Sequence, residues 1–199
     1  MLFSMLIMLL ASQLSAPVPD KPSWVRSDDY PSQYIEAGRA FDIDLRATIR
    51  ADGTPQGCSI EKSSGELKFD KYNCGLLLSR VKFKPATDAS GQPIVGVFRT
   101  RVFWMLDFTK PKPQLGDIEL TIAKLPAGLK SPTWIEVALA VDGAGKPSDC
   151  ASGKPDQNAA LVKTACSQLV RSYRAIPARL PNGEAVPSVQ TAKVSFLNK

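Results

Sequence analysis

The sequence predicts an α+β fold made of two tandem small domains, each an antiparallel sheet in strand-turn-strand-helix-strand order with its helix packed on one face. Three observations predict it. The four cysteines form two pairs of equal spacing, Cys58/Cys74 and Cys150/Cys166, each sixteen positions apart. A shift of 92 residues (150 − 58) superposes the pairs and carries the neighbouring sequence along without a gap. Ile43 falls on Ile135, Gly53 on Gly145, Pro55 on Pro147, Leu77 on Leu169, Pro85-Ala86 on Pro177-Ala178, Gly91 on Gly183 and Val102 on Val194. A gap-free match of Gly, Pro and Cys marks a tandem duplication. Finally, each copy has an apolar strand segment with period two, strictly alternating in the first copy, and continues into an apolar stripe at helical spacing.

In the first copy, Phe41, Ile43, Leu45, Ala47 and Ile49 alternate with Asp42, Asp44, Arg46 and Thr48, the signature of a strand with one buried and one wet face. Asp52-Gly53 predicts a hairpin turn, and a second strand passes through Cys58 and Ile60. A helix follows over roughly Lys68 to Val81, with Cys74, Leu77, Leu78 and Val81 on its core face. Gly91 marks a turn, and Ile94 to Met105 forms the last strand. The second copy repeats the outline with Ile135, Val137, Leu139 and Val141 in its strand, Gly143 and Gly145 in its turn, and Cys166, Leu169, Val170 and Tyr173 on its helix.

The N-terminus reads differently. Met1 to Ala11 is apolar and Ser12 to Ala16 small and polar, which fits a signal peptide over residues 1–16 better than a membrane span of about 20 residues. Export and an even cysteine count support each other, because disulfides persist in oxidising compartments. The repeat selects pairing within each copy, Cys58 with Cys74 and Cys150 with Cys166, each loop contributing roughly 3 kcal/mol in the chain-entropy view. No cysteines lie two to four positions apart, so a four-cysteine zinc site is excluded. The organisation reads as signal peptide 1–16, polar tail 17–29, domain 30–108, Pro/Lys linker 109–117 and domain 118–199, with a periplasmic or secreted destination.

The chain has no histidine, which removes Ser-His, Cys-His and His-metal chemistry. Asp28-Asp29 and Asp42/Asp44 read as solvated surface groups, and no phosphate-binding glycine loop is present. Neither catalysis nor a cofactor or metal is expected. Residues 110–199 carry twelve cations against seven anions, with Lys163, Arg171, Arg174 and Arg179 around the second helix. Without stacking aromatics among them, nucleic acid is not the expected partner. In an envelope, such a patch suits anionic polymers or acidic proteins.

The first copy resembles the C-terminal domain of the TonB family, periplasmic proteins that contact outer-membrane transporters. The resemblance rests on Tyr30-Pro31 with a short helix to Ala37-Gly38, the alternating strand, the Asp52-Gly53 turn, Ser63-Ser64-Gly65, Phe83-Lys84-Pro85-Ala86 and Gly91-Gln92-Pro93. The second copy keeps the skeleton but has Ala175-Ile176-Pro177-Ala178 and no Tyr-Pro start. The resemblance implies a protein- or peptide-binding module working by edge-strand pairing. Its partner would be an envelope protein or a transporter peptide, met along Val97, Arg99, Arg101 and Phe103. Two alternatives stay open. One is a reduced energy transducer anchored by an uncleaved N-terminus, the only case with membrane contact. The other is a structural envelope protein binding anionic material through the basic second copy. The stretch from Pro17 to Asp29, about 45 Å when fully extended, is short for a transducer's periplasmic rod.

Overall fold

The structure is a computed structural model that describes residues 13–21, 23–106 and 116–199. The apolar residues 1–12 and the linker residues 109–115 lie outside the described residues. In chain order the strands are β1 (Val18–Pro19), β2 (Phe41–Ile49), β3 (Pro55–Lys62), β4 (Phe83–Lys84), β5 (Ala86–Thr87), β6 (Pro93–Ile94) and β7 (Gly96–Trp104). Then come β8 (Ile118–Ile122), β9 (Thr133–Val141), β10 (Pro147–Ser152), β11 (Ala178–Arg179), β12 (Ala185–Val186) and β13 (Ser188–Asn198). The helices are α1 (Ser32–Glu36), α2 (Leu67–Arg80) and α3 (Ala159–Ser172), and a 3-10 turn spans Ser27–Asp29. The fold is α+β. Adding 92 to the bounds of β2, α2, β5 and β6 gives those of β9, α3, β11 and β12, so the duplication read in the sequence is also a duplication of elements.

The alternating segments form the expected strands because one face is buried: Ile43, Leu45, Ala47 and Ile49 are fully enclosed, as are Val137 and Leu139. Each hairpin turn is clamped to the chain leaving the helix. The Phe83 N–H donates to the Gly53 carbonyl at 3.0 Å, and the Ala175 N–H to that of Gly145 at 2.8 Å. A Cβ on Gly53 would stand 2.0 Å from the Phe83 oxygen, and one on Gly145 2.2 Å from that of Ala175, so neither turn admits a side chain. The disulfides join Cys58 of β3 to Cys74 of α2, and Cys150 of β10 to Cys166 of α3, with Cα separations of 5.6 and 5.4 Å. The final strand is interrupted at Val95, where short β6 pairs with β5 before β7 begins. Gly96 opens β7 because Pro17 and Ala86 pack within 2.9 Å of where its Cβ would lie.

The inner faces of the helices differ from the expected stripes. Leu77 and Val81 are buried and Cys74 packs against the core, but Leu78 is exposed. Phe69, Asn73 and Leu76 face inward instead. Asn73 is fully enclosed because both ends of its amide are satisfied: its Nδ2 donates to the Phe69 carbonyl at 2.8 Å, and Trp104 Nε1 donates to its Oδ1 at 2.9 Å. Trp104 and Tyr30 are core residues, their rings 5.0 Å apart. On α3, Leu161, Ala165 and Leu169 are buried, while Val170 and Tyr173 are half-buried.

Ser63 and Ser64 anchor the entry to α2. The buried Asp70 carboxylate accepts from Ser63 Oγ at 2.5 Å, Ser64 Oγ at 2.6 Å and Ser64 N at 2.9 Å. Burial pushes this carboxyl up, but the three hydrogen bonds outweigh it and hold Asp70 below the ordinary aspartate range. A depressed folded pKa contributes stability above the unfolded value of about 3.9, and that contribution is lost as pH falls through the folded pKa. Asp70→Ala should therefore lower unfolding stability by roughly 2–3 kcal/mol at neutral pH. Urea titrations of both proteins should show the gap narrowing at pH 3; a gap equal at both pH values would remove the carboxylate from the explanation.

The three-stranded units merge into one seven-stranded sheet in the order β10-β9-β13-β7-β2-β3, with β8 also on β13. The junction is parallel: Gly96 and Val97 of β7 lie opposite Val189 and Gln190 of β13. Paired residues share a face of the sheet. Gln190 lies opposite Leu139 on the α3 side, while Val97 lies opposite Thr48 on the side away from α2. The two helices therefore cover opposite faces, and each half presents its second face to the chain that follows the other half's helix.

Candidate functional site

The outward face of β2, β3 and β7 gathers Asp42, Asp44, Arg46, Glu61, Arg99 and Arg101, and most of these charges are partnered. Arg101 pairs with Asp42, which also takes Lys62 Nζ at 2.6 Å. The bond from Arg101 is the chief reason the Asp42 carboxyl lies below its usual range. Burial pushes the neighbouring Asp44 upward, 3.4 Å from Arg101. The pair that alternation placed on a wet face is an ion-paired lattice. Asp29, expected to be solvated, likewise accepts from both terminal nitrogens of Arg80 at 2.6 and 2.8 Å.

Towards the junction the lattice crosses between the halves. Arg99 donates through Nε to Glu61 at 2.9 Å and through Nη1 to Asp117 at 2.5 Å. Burial opposes its charge, but Asp117 and Glu61 outweigh it and hold its pKa above the usual arginine value. Asp117, at the end of the expected linker, also donates its N–H to the Lys193 carbonyl of β13 and accepts from the Lys193 N–H through Oδ2, both at 2.8 Å. Arg46, only 8% exposed, donates to the Ile176 carbonyl at 2.5 Å and to Gln190 Oε1 at 3.2 Å.

These contacts decide where a partner could bind. Of the four residues expected to meet a peptide, Val97 is enclosed in the junction and Arg99 is held by Glu61 and Asp117. Arg101 is paired with Asp42 and stacks 4.7 Å from the Phe103 ring. The backbone edge of β7 is a different matter. Its first residues pair with β13, but among the described residues no strand pairs with the outer edge beyond Val97. There, an open groove of about 580 Å³ runs between Thr100–Leu106 and the segment Ser23–Ser27, with Ile35 on its rim. Ile35, Met105 and Leu106 are exposed apolar side chains on this groove.

The second copy differs at the equivalent edge. The same stretch of β13, Val194 to Asn198, is paired in parallel with β8, Ile118 to Ile122. Ninety-two residues earlier, Arg26 to Tyr30 form the 3-10 turn, tied back by Asp29 to Arg80 and by the Tyr72 hydroxyl donating to the Asp29 carbonyl at 3.0 Å. One copy fills its strand edge with its own residues; at the equivalent edge of the other, no described strand is paired. A second pair of positions shows the reverse asymmetry. The strip after α2 is paired with Gln13–Pro19 through β1–β4 and Ser15–Thr87, whereas the strip after α3 has its Ile176 carbonyl capped by Arg46. Sequence reasoning missed both, although Ile118-Glu119-Leu120-Thr121-Ile122 alternates as plainly as any strand in the chain.

Lys163, Arg171, Arg174 and Arg179 are all exposed, two of them folded onto nearby carbonyls of Tyr173 and Gly183. Among the described residues no group of three or more His, Cys, Asp or Glu is placed to hold a metal ion. No helix among them is long and apolar enough to cross a membrane. Comparison with protein-family models, with curated proteins and with solved structures gives no match.

Proposed function

We propose that this chain is a non-catalytic, exported binding module of the TonB C-terminal kind that takes an extended peptide as an added strand along the outer edge of β7. The observation carrying this reading is β8 on β13, because the chain itself shows a five-residue apolar-alternating strand seated on the duplicate of the open edge. Strand addition draws affinity from backbone hydrogen bonds and selectivity from alternate side chains. Here the exposed Ile35, Met105 and Leu106 would meet the apolar ones. The partner is an envelope protein or the peptide of an outer-membrane transporter. The two disulfides agree with an oxidising compartment.

The natural probe is a synthetic peptide of residues 117–123, the β8 sequence. Added to the isotope-labelled protein, it should shift the backbone amides of Thr100 to Leu106. Ile35→Glu with Leu106→Glu, two exposed positions, should weaken binding by about tenfold or more while leaving the spectrum folded. Shifts confined to β13, as from exchange with the resident β8, or no shifts at all, would sink the edge reading.

A further inference from the structure

We infer that Gln13–Asp20 is part of the mature fold, and that removal of the apolar leader stops N-terminal to Gln13. The inference starts from Leu14. Its side chain is 5% exposed and sits in a cluster with Ala86 of the first copy and Ala138 and Val189 of the second, flanked by Ala140 and Ala151. The floor of that site is made for it: 92 residues earlier, the places of Ala138, Ala140 and Ala151 are held by Arg46, Thr48 and Ser59. Small residues leave a hole at the junction of the halves, and Leu14 fills it.

The backbone around Leu14 is held as firmly. Gln13 N–H donates to the Ala89 carbonyl at 3.2 Å, while Ser15 and Thr87 exchange N–H to carbonyl bonds of 3.1 and 3.0 Å. The Ser15 and Thr87 hydroxyls lie 2.8 Å apart, and Asp20 N–H donates to the Lys82 carbonyl at 2.8 Å. A cut after Ala16, the boundary the sequence suggests, would discard the Leu14 plug and half of this pairing. A cut N-terminal to Gln13 leaves every one of these contacts intact.

The cut site rests on the export reading, but the contribution of Leu14 to the fold does not, so two measurements separate them. Intact mass of the protein secreted to a Gram-negative periplasm should correspond to a chain starting at Gln13 or a few residues before it. A start at Pro17, or an intact Met1, overturns the boundary. Independently, chains starting at Gln13 and at Pro17 can be oxidatively refolded and melted. The shorter should melt about 5–10 °C lower, with Leu14→Ala in the longer chain losing a similar amount. Equal melting temperatures would show that the segment is dispensable, whatever happens during export.

Discussion

Replacing all four cysteines by serine should lower the unfolding free energy by about 6 kcal/mol, roughly 3 for each closed loop. That is comparable to the whole stability of many domains, which lies at about 5–15 kcal/mol, so the variant should be largely unfolded at physiological temperature. The position of the two bonds strengthens the expectation. Among the described residues β3 and β10 are the outermost strands of the sheet, each paired with a strand on one side alone, and each is stapled to the helix above it. Removing Cys58 and Cys74 alone should produce about half the loss and should fray β3 first, visible as faster amide exchange in that strand. Guanidinium titrations with and without reductant make the measurement. A change below about 1 kcal/mol for either pair would mean that the unfolded chain is already constrained or that the pairing is strained.

Arg46→Ala should cost about 3–5 kcal/mol, because it removes one member of a buried ionic and hydrogen-bonded group, leaves Gln190 Oε1 without its donor and leaves the Ile176 carbonyl with only the 3.3 Å bond from Gln190 Nε2. The half-fold itself does not need an arginine at this position, since the second copy carries Ala138 there. The loss should therefore fall on the junction. Amide exchange should accelerate at Val97, Val189 and Gln190, which meet across the parallel pairing, while the cores beneath α2 and α3 keep their protection. Uniform loss of protection across both halves would show instead that Arg46 supports the first domain from within.

What was legible in the sequence is what local chemistry writes there. Alternation placed β2 and β9, glycine marked the clamped turns, and the repeated cysteine spacing gave the pairing observed. Leu78 was assigned inward and Asn73 was overlooked because apolar spacing cannot register a polar side chain whose bonding groups are all met internally. The junction was harder to see. Parallel pairing of the two last strands, with helices on opposite faces, depends on contacts between Arg46, Arg99, Asp117 and Gln190 that lie far apart in sequence. The one trace was a difference between copies: Arg46, Thr48 and Ser59 against three alanines. An outward face that turns apolar and small in one copy is being covered, and what covers it was hidden in a stretch that reads as leader. The groove beside β7 is illegible for a related reason, since an edge that no described strand pairs leaves no residue pattern of its own.

Parallel alignment of equivalent strands with the helices on opposite faces corresponds approximately to a half-turn about the strand direction. A single copy of the unit could form the same junction as an isologous homodimer, with each surface patch meeting itself. In such a dimer every substitution would appear twice, and a side chain closing one strip would close both. Joining the copies in one polypeptide removes that restriction. It lets Arg46 stand on one side and Ala138 on the other, and lets β8 occupy one edge while no described strand pairs with the other. A chain assembled this way can carry one such edge where a symmetric pair of copies would carry two identical ones or none.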